Sequence, residues 1–221
     1  NMLPGYYGVQ VENRFATYGV NGFAPVADAA MATYAAGLPS TAIVNVQANT
    51  TLVDNPNIFA LRLGAFTINS VSGASNENTI TFSGSGANVG GIIMSGAGVI
   101  NPNLKFGASG GNEALINTVG GNLTVNGTIT ANGITKFGGN TLVVVNDQSD
   151  NARGTGNGYN NGWVINEGAI QFNAFGAGGN AVPSNTIVLN GGNAGASQLT
   201  LAAQPGNTLL NYRYTFGRII A

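Results

Sequence analysis

The chain has 221 residues, of which 43% are apolar and only 7% are charged, against about 25% charged in an average soluble domain. The formal net charge is −1 and the seven Lys and Arg residues are scattered, which excludes the clustered cations of a nucleic-acid interface. There is no Cys and no His, which excludes disulfide scaffolds and removes the commonest general base and transition-metal ligand. Glycine, asparagine, serine and threonine supply most of the polar surface instead. No stretch approaches the roughly 18 apolar residues of a membrane span.

Residues 1–40 differ in amino-acid composition from the rest of the chain, because they are richer in Tyr, Ala and Pro. Within them, residues 25–36 predict the single helix of the chain, with Pro25 in the first turn, Asp28 near the N-terminus and Gly37 after the end. We expect it to pack as a cap on the rest of the fold, and the alternative is a helix that binds a partner. Because the chain opens without Met, we expect a processed product or a segment of something longer.

From residue 41 onwards the sequence predicts only short strands, each of which is β-branched or aromatic and bounded by Gly, Asn, Ser or Pro. They lie at residues 42–46, 58–63, 66–68, 79–82, 91–94, 104–106, 114–116, 122–125, 128–130, 134–137, 141–145, 163–165, 169–172, 186–189, 198–201 and 207–220. No helical periodicity separates them, which excludes alternating strand–helix folds. The predicted organisation is a cap or arm segment over 1–40, followed by repeats over 41–221 that end in a terminal strand.

Two all-β architectures fit these strands, a sandwich and a solenoid. Asn-Gly pairs do not decide between them, because Asn and Gly suit both hairpin turns and the corners of a coil. Self-similarity favours the solenoid, since residues 120–133, 138–146, 161–172 and 185–192 repeat the pattern of apolar strand, Asn, small residue, Gly and apolar strand. In a parallel β-helix like residues stack about 4.8 Å apart, where like charges repel and Asn, Thr and apolar side chains stack well. The sequence therefore predicts an all-β parallel β-helix with coils of roughly 20–25 residues.

Residues 134–192 resemble the autotransporter-associated β-strand repeat. The opening of that repeat is matched by Ile134, Thr135, Lys136, Gly138, Thr141 and Leu142, and its remainder by Trp163, Ile165, Asn166, Gly168, Ile170, Val188, Leu189, Asn190 and Gly192. The resemblance implies an exported bacterial protein, at the cell surface or secreted, that forms a right-handed β-helix and carries no catalytic residues. The loop at residues 146–162 is longer than the usual one of that family.

That loop is the best candidate for a functional protrusion, because it combines Asp147, Asp150 and Arg153 with several Asn residues. A solvated loop with Asx turns is the expected structure. Oxygen ligands for Ca²⁺ at the two aspartates are the alternative, although their spacing lacks a known calcium-loop pattern.

Catalysis is not expected from the distribution of the eight acidic residues. They are Glu12, Asp28, Asp54, Glu77, Glu113, Asp147, Asp150 and Glu167. Only one pair is close in sequence, so a paired-carboxylate site of the glycosidase kind is not predicted. We predict no catalytic, cofactor-binding or metal-binding residue.

The aromatic residues divide by position. Tyrosines concentrate at the two ends of the chain, at Tyr6, Tyr7, Tyr18, Tyr34, Tyr212 and Tyr214. They suggest contact surfaces for other molecules, or packing of a cap within the chain. Phenylalanines in the middle are predicted to stack in the core, at Phe59, Phe66, Phe82, Phe106, Phe137 and Phe172.

These observations predict an extracellular structural protein whose copies assemble head to tail through the solenoid ends. The long apolar run at residues 208–220 would otherwise be an exposed strand edge. The alternative is a stalk or adhesin segment of a larger autotransporter-like protein, which presents loops to surface glycans. Distinctive chain ends favour assembly over the stalk.

Overall fold

The computed structural model describes residues 2–6, 14–20, 22–71, 78–83, 90–108, 110–145, 162–173, 186–190, 197–201 and 218–220. Over these residues the secondary structure consists of 22 strands and one turn of 3-10 helix, at Asp28–Ala30. The prediction of an all-β fold is confirmed for this part of the chain.

Strands β4 to β22 form three parallel sheets. The eight-stranded sheet contains β4 (Ile43–Val46), β7 (Ala60–Leu63), β10 (Gly91–Met94), β13 (Glu113–Asn117), β16 (Gly133–Phe137), β18 (Trp163–Ile165), β20 (Thr186–Leu189) and β22 (Arg218–Ile220). The seven-stranded sheet contains β5 (Thr50–Thr51), β8 (Thr67–Asn69), β11 (Gly98–Ile100), β14 (Leu123–Val125), β17 (Thr141–Val144), β19 (Gly168–Phe172) and β21 (Ser197–Leu201). The four-stranded sheet contains β6 (Asn57–Ile58), β9 (Thr79–Phe82), β12 (Asn103–Phe106) and β15 (Ile129–Thr130).

The chain visits these sheets in a fixed order, and we call each passage a rung and the whole assembly the stack. Rungs 1 to 4 contribute a strand to all three sheets, rungs 5 to 7 have described strands in two, and rung 8 is β22. Ile43 lies opposite Ala60, 17 residues later, and Ile187 lies opposite Ile219, 32 residues later. Rung length therefore varies more widely than the expected 20–25 residues. This arrangement is compatible with the predicted β-helix or solenoid.

The core of the stack lies between the sheets and is filled by side chains from alternate strand positions. Phe82 and Phe106, one rung apart, stack with ring centroids 4.6 Å apart and an interplanar angle of 11°. Trp163 meets Phe172 edge to face at 5.3 Å. All four rings are buried, which confirms the prediction for Phe82, Phe106 and Phe172. Phe66 and Phe137, which were also predicted to lie in the core, are only half-buried.

A separate antiparallel sheet precedes the stack and is made of β1 (Met2–Tyr6), β2 (Phe15–Gly19) and β3 (Gly22–Pro25). Phe15, Val26 and Met31 form a second buried cluster with residues on the outer side of the eight-stranded sheet. Those residues include Ile43, Ala60 and Ile93. The N-terminal segment thus packs against the outside of the first rungs.

The prediction of a helix over residues 25–36 is wrong. The helical turn ends after three residues, and Met31 is already extended at φ −97° and ψ 135°. Ala32 then forms a parallel bridge to Val44 on the first strand of the stack. Its N–H donates to the carbonyl of Ile43 at 2.7 Å and its carbonyl accepts from Asn45 at 2.8 Å. The alanines favour a helix by propensity alone. Pairing with the edge of β4 satisfies the backbone N–H and C=O of Ala32 instead, so the segment is extended there.

The Asp28 carboxylate, expected to favour the N-terminus of that helix, instead forms ion pairs with Arg14 at 2.9 Å and Arg62 at 3.2 Å. No side chain caps the turn. Arg62 belongs to rung 2, so the aspartate joins the N-terminal segment to the outer face of the stack.

Candidate functional site

The ends of the stack are the surfaces on which the assembly prediction depends, and the N-terminal end is the one described with its side chains. Residues 31–42, which we call the cap, cross this end ahead of β4. Tyr34, Leu38 and Ala42 pack against the main core. The cap therefore covers apolar side chains of rung 1 that would otherwise face solvent.

Hydrogen bonds to Asp54 hold the cap in place. The Tyr34 hydroxyl donates to one carboxylate oxygen at 2.7 Å, and the Gly37 N–H donates to the other at 2.9 Å. The same hydroxyl accepts from the Val53 N–H at 3.0 Å. Burial, followed by the hydrogen bond to Asp54, raises the pKa of Tyr34, so the neutral phenol is the form that the cap requires.

The first strands of the other two sheets are short. Strands β5 and β6 have two residues each, and no described strand pairs with them on the N-terminal side. Very short edge strands are one way in which proteins prevent unwanted pairing with other chains. Val53, between these strands, is 65% exposed. At the N-terminal end the cap therefore covers the core, and the first strands of two sheets are too short to offer a long edge for pairing.

A cavity of about 10 Å³ lies beneath Tyr34, between side chains that include Val44, Leu61 and Ile68. That is about the space for one water molecule. The cavity is a packing defect under the cap and is too small for an organic ligand.

Replacing Tyr34 by Phe should loosen the cap. The substitution removes the hydroxyl that joins Asp54 to the Val53 backbone, and we expect it to lower the free energy of unfolding by about 1–2 kcal/mol. Urea unfolding followed by circular dichroism measures the change. Thr33→Val is the matched control, because it removes a hydroxyl from an exposed neighbour and should change stability little. Equal stability of both variants would show that the Tyr34 hydroxyl does not hold the cap.

A second feature lies at the corner after β16, where Lys136 points into the core and is 0% exposed. It belongs to one inward row of the eight-stranded sheet, defined by the register of successive strands. That row is Val44, Leu61, Ile92, Ile116, Lys136 and Ile165.

Backbone carbonyls surround the amine. It donates to the carbonyls of Phe137 at 3.1 Å, of Gly138, and of Glu167 at 2.7 Å. Burial lowers the pKa of Lys136 to about 8, and the Glu167 carboxylate opposes that shift. Thr118 adds a donor at the same corner, to the carbonyl of Asn140 at 2.9 Å. The corner is a polar network inside an apolar core.

Lys136 matches the repeat in the sequence, but the prediction above does not assign it to the core, whereas the structure places it facing inward. The signal was present, because residues two apart in a strand share a face and Ile134 is an evident core residue. A lysine at that position is rarely assigned to a core, since lysine is almost never fully buried without partners.

Stacked asparagines also connect the rungs. Asn126 donates to Asn101, and Asn101 donates to Asn69, each through the side-chain amide at 2.7 Å. Asn190 donates to Asn166 in the same way, also at 2.7 Å. The expectation that stacked Asn side chains replace charges along the stack is confirmed at these positions.

The loop predicted as a protrusion, residues 146–162, lies outside the described residues except for Gly162, which is buried. Asp147, Asp150 and Arg153 therefore lie outside as well, so neither the expected solvated loop nor its alternative, a calcium site, is tested there. Elsewhere, the described residues contain no group of three or more side chains that could hold a metal ion.

The end tyrosines are placed only in part. Tyr34 packs as a cap within the chain, which was one of the two predicted roles. Tyr6 and Tyr18 lie in β1 and β2, and Tyr7, Tyr212 and Tyr214 lie outside the described residues. Of the predicted terminal strand, only Arg218–Ile220 is described, and it pairs in parallel with β20 as the next rung.

The described carboxylates that make side-chain contacts serve local structure. Asp28 pairs with arginines, Asp54 holds the cap and Glu113 accepts a hydrogen bond from Thr135. None of the helical structure within the described ranges is long and apolar enough to cross a membrane.

Comparisons with protein-family models, with curated proteins and with solved structures each returned no match. The resemblance of residues 134–192 to the autotransporter-associated repeat therefore stays a prediction from the residues themselves.

Proposed function

We propose that the chain is an extracellular structural protein, that its stack is a right-handed parallel β-helix, and that copies assemble through the ends of that stack. The observation that carries the proposal is the in-register growth of the eight-stranded sheet, in which β22 adds to β20 as β20 adds to β18. A strand from another copy can add by the same main-chain hydrogen bonds.

The nearly uncharged surface supports the same proposal. The rungs are joined by apolar rows and amide ladders, and neither opposes the approach of an identical rung. A contact between the two different ends of identical subunits is head to tail, and it grows into a filament when it does not close.

A stalk or adhesin segment is the second candidate, and the cap favours it. Because Tyr34 and Leu38 cover the first rung and β5 and β6 are short, a copy that adds at this end must displace the cap. A solenoid with one closed end suits a rigid element that presents its loops to surface glycans.

Removing residues 1–41 should uncap the first rung and promote assembly. We expect the truncated chain to form elongated particles in light scattering and electron microscopy, with a repeat of about 4.8 Å along the particle axis in fibre diffraction. Deleting residues 202–221 as well removes β22 and leaves β20 and β21 as the last rung, so elongated particles with the same repeat should still form, whereas non-specific aggregates would show no axial repeat. A monodisperse monomer before and after uncapping would reject assembly and leave the stalk, for which glycan binding by the intact chain is the next measurement.

A further inference from the structure

Rungs 5 and 6 meet in the part of the stack where strands of two sheets are described. The last described strand of the four-stranded sheet is β15, in rung 4. Beyond it, the described pairing between rungs 5 and 6 consists of β16 with β18 and β17 with β19. The last described pair of the third sheet, β12 with β15, joins rungs 3 and 4.

The core of the stack contains a polar side chain at the junction between rungs 5 and 6. In the inward row of the eight-stranded sheet, Ile116 of rung 4 and Ile165 of rung 6 lie on either side of Lys136 in rung 5. Apolar stacking is therefore interrupted at this position, and a hydrogen-bonding group takes its place.

The amine spans the two rungs. Phe137 and Gly138 belong to the corner of rung 5, whereas Glu167 belongs to the corner of rung 6. The hydrogen bond from Lys136 to the Glu167 carbonyl, at 2.7 Å, joins rung 6 to rung 5. A partly buried carbonyl that loses its donor is costly, and the bond to the Glu167 carbonyl is partly buried, so the lysine secures the first corner of rung 6.

We propose that the Lys136 amine is a latch between rungs 5 and 6, and that without it the stack from β18 onwards opens as a unit separate from rungs 1 to 4. Stacked repeats behave as a linear array in which each interface contributes its own stability, so a weakened interface divides the array. Among the described residues, the Glu167 carboxylate on rung 6 acts electrostatically on the Lys136 amine. Glu113 is exposed on β13 and accepts a hydrogen bond from Thr135.

The chain contains one tryptophan, and it reports this junction. Trp163 is 1% exposed in β18 and packs against Phe172 of the same rung. Its fluorescence therefore follows opening of rung 6, whereas far-UV circular dichroism follows the whole stack. Hydrogen exchange of peptides from β18–β19 and from β7–β8 distinguishes the two parts directly.

Lys136→Met keeps a long apolar side chain and removes the donor. We expect exchange in β18–β19 to accelerate roughly tenfold, because the Glu167 carbonyl loses a hydrogen-bond donor, with little change in β7–β8. The urea midpoint by Trp163 fluorescence should fall below that by circular dichroism. The matched control is Lys105→Met, at an outward position of β12 between inward Leu104 and Phe106, and it should leave both midpoints unchanged.

Unchanged or slower exchange in β18–β19 of the Lys136→Met chain would overturn the latch. Such a result would show that the buried lysine does not hold rungs 5 and 6 together and that its charge only destabilises the core. Equal acceleration in both peptides would overturn the separate opening. If that variant does not fold, Lys136→Gln takes its place, because its shorter side chain withdraws the donor from the Glu167 carbonyl. Exchange in β18–β19 should again be faster than in the wild-type chain while β7–β8 changes little, and equal changes in both peptides contradict the proposal.

Discussion

Replacing Gly168 by alanine should lower the free energy of unfolding by about 3–5 kcal/mol, the range of severe core defects. Gly168 has φ +71°, and a Cβ there would lie 2.5 Å from the Gly138 carbonyl oxygen, 2.6 Å from that of Asn140 and 2.7 Å from the Gly139 carbonyl carbon. All three atoms are backbone atoms of the preceding rung, so no side chain can move aside. Urea unfolding, followed by circular dichroism and by Trp163 fluorescence, measures the loss.

Gly37→Ala is the matched control. Gly37 has a similar φ of +74°, but a Cβ there would meet nothing within 4 Å. The left-handed conformation alone costs alanine about 1–2 kcal/mol. Similar losses at the two positions would mean that the rungs do not approach as closely at Gly168 as the structure places them.

The parallel stack was predictable because each rung repeats the same local pattern. Strands alternate inward apolar and outward polar residues, and Asn-Gly pairs mark corners, as at Asn126–Gly127, where a Cβ on the glycine would lie 2.1 Å from the Pro102 carbonyl oxygen. Gly22, which belongs to another Asn-Gly pair, instead begins β3, and β3 pairs antiparallel with β2. The same dipeptide occurs in both parts of the chain, so only the pairing of distant strands separates them.

The features that the sequence did not predict depend on contacts between distant residues. The alanine-rich segment at 25–36 looks helical, yet Ala32 pairs with Val44 because β4 offers an edge. Rung lengths vary because insertions at corners leave strand register unchanged. The inward lysine was missed because its partners are backbone carbonyls, and one of them lies on the next rung.

Stability should rise with pH between about 8 and 10.5 because of Lys136. The buried amine has a pKa of about 8 in the folded chain, against 10.5 for an ordinary lysine. Below pH 8 the folded and unfolded chains both carry the proton, so the lysine adds no pH dependence. Between the two values the unfolded chain binds the proton and the folded chain does not, and stability then increases by about 1.4 kcal/mol per pH unit.

Measurements from pH 7 to 9.5 suffice to see this rise and avoid the opposite effect of Tyr34. The raised pKa of Tyr34 means that the folded chain keeps the phenolic proton longer than the unfolded chain, so Tyr34 lowers stability only as pH rises through and above the ordinary tyrosine pKa of about 10. Up to pH 9.5 we expect a gain of roughly 2 kcal/mol in the wild-type chain from the depressed lysine pKa. Urea unfolding in matched ionic strength measures the gain.

Lys136→Met removes the titrating group and should flatten the profile, while Lys105→Met should keep the wild-type slope. A Lys136→Met chain that retains the slope would assign it to another group. A wild-type profile that is flat or falls between pH 7 and 9.5 would mean that water or the Glu167 carboxylate stabilises the charged amine, and that Lys136 is not isolated in the core. A neutral amine has two protons to donate, so it keeps two of its three hydrogen bonds, and the one to the Glu167 carbonyl can be among them. The latch and the rise in stability are therefore compatible, because at alkaline pH the bond between the rungs can remain while the cost of burying the charge is gone.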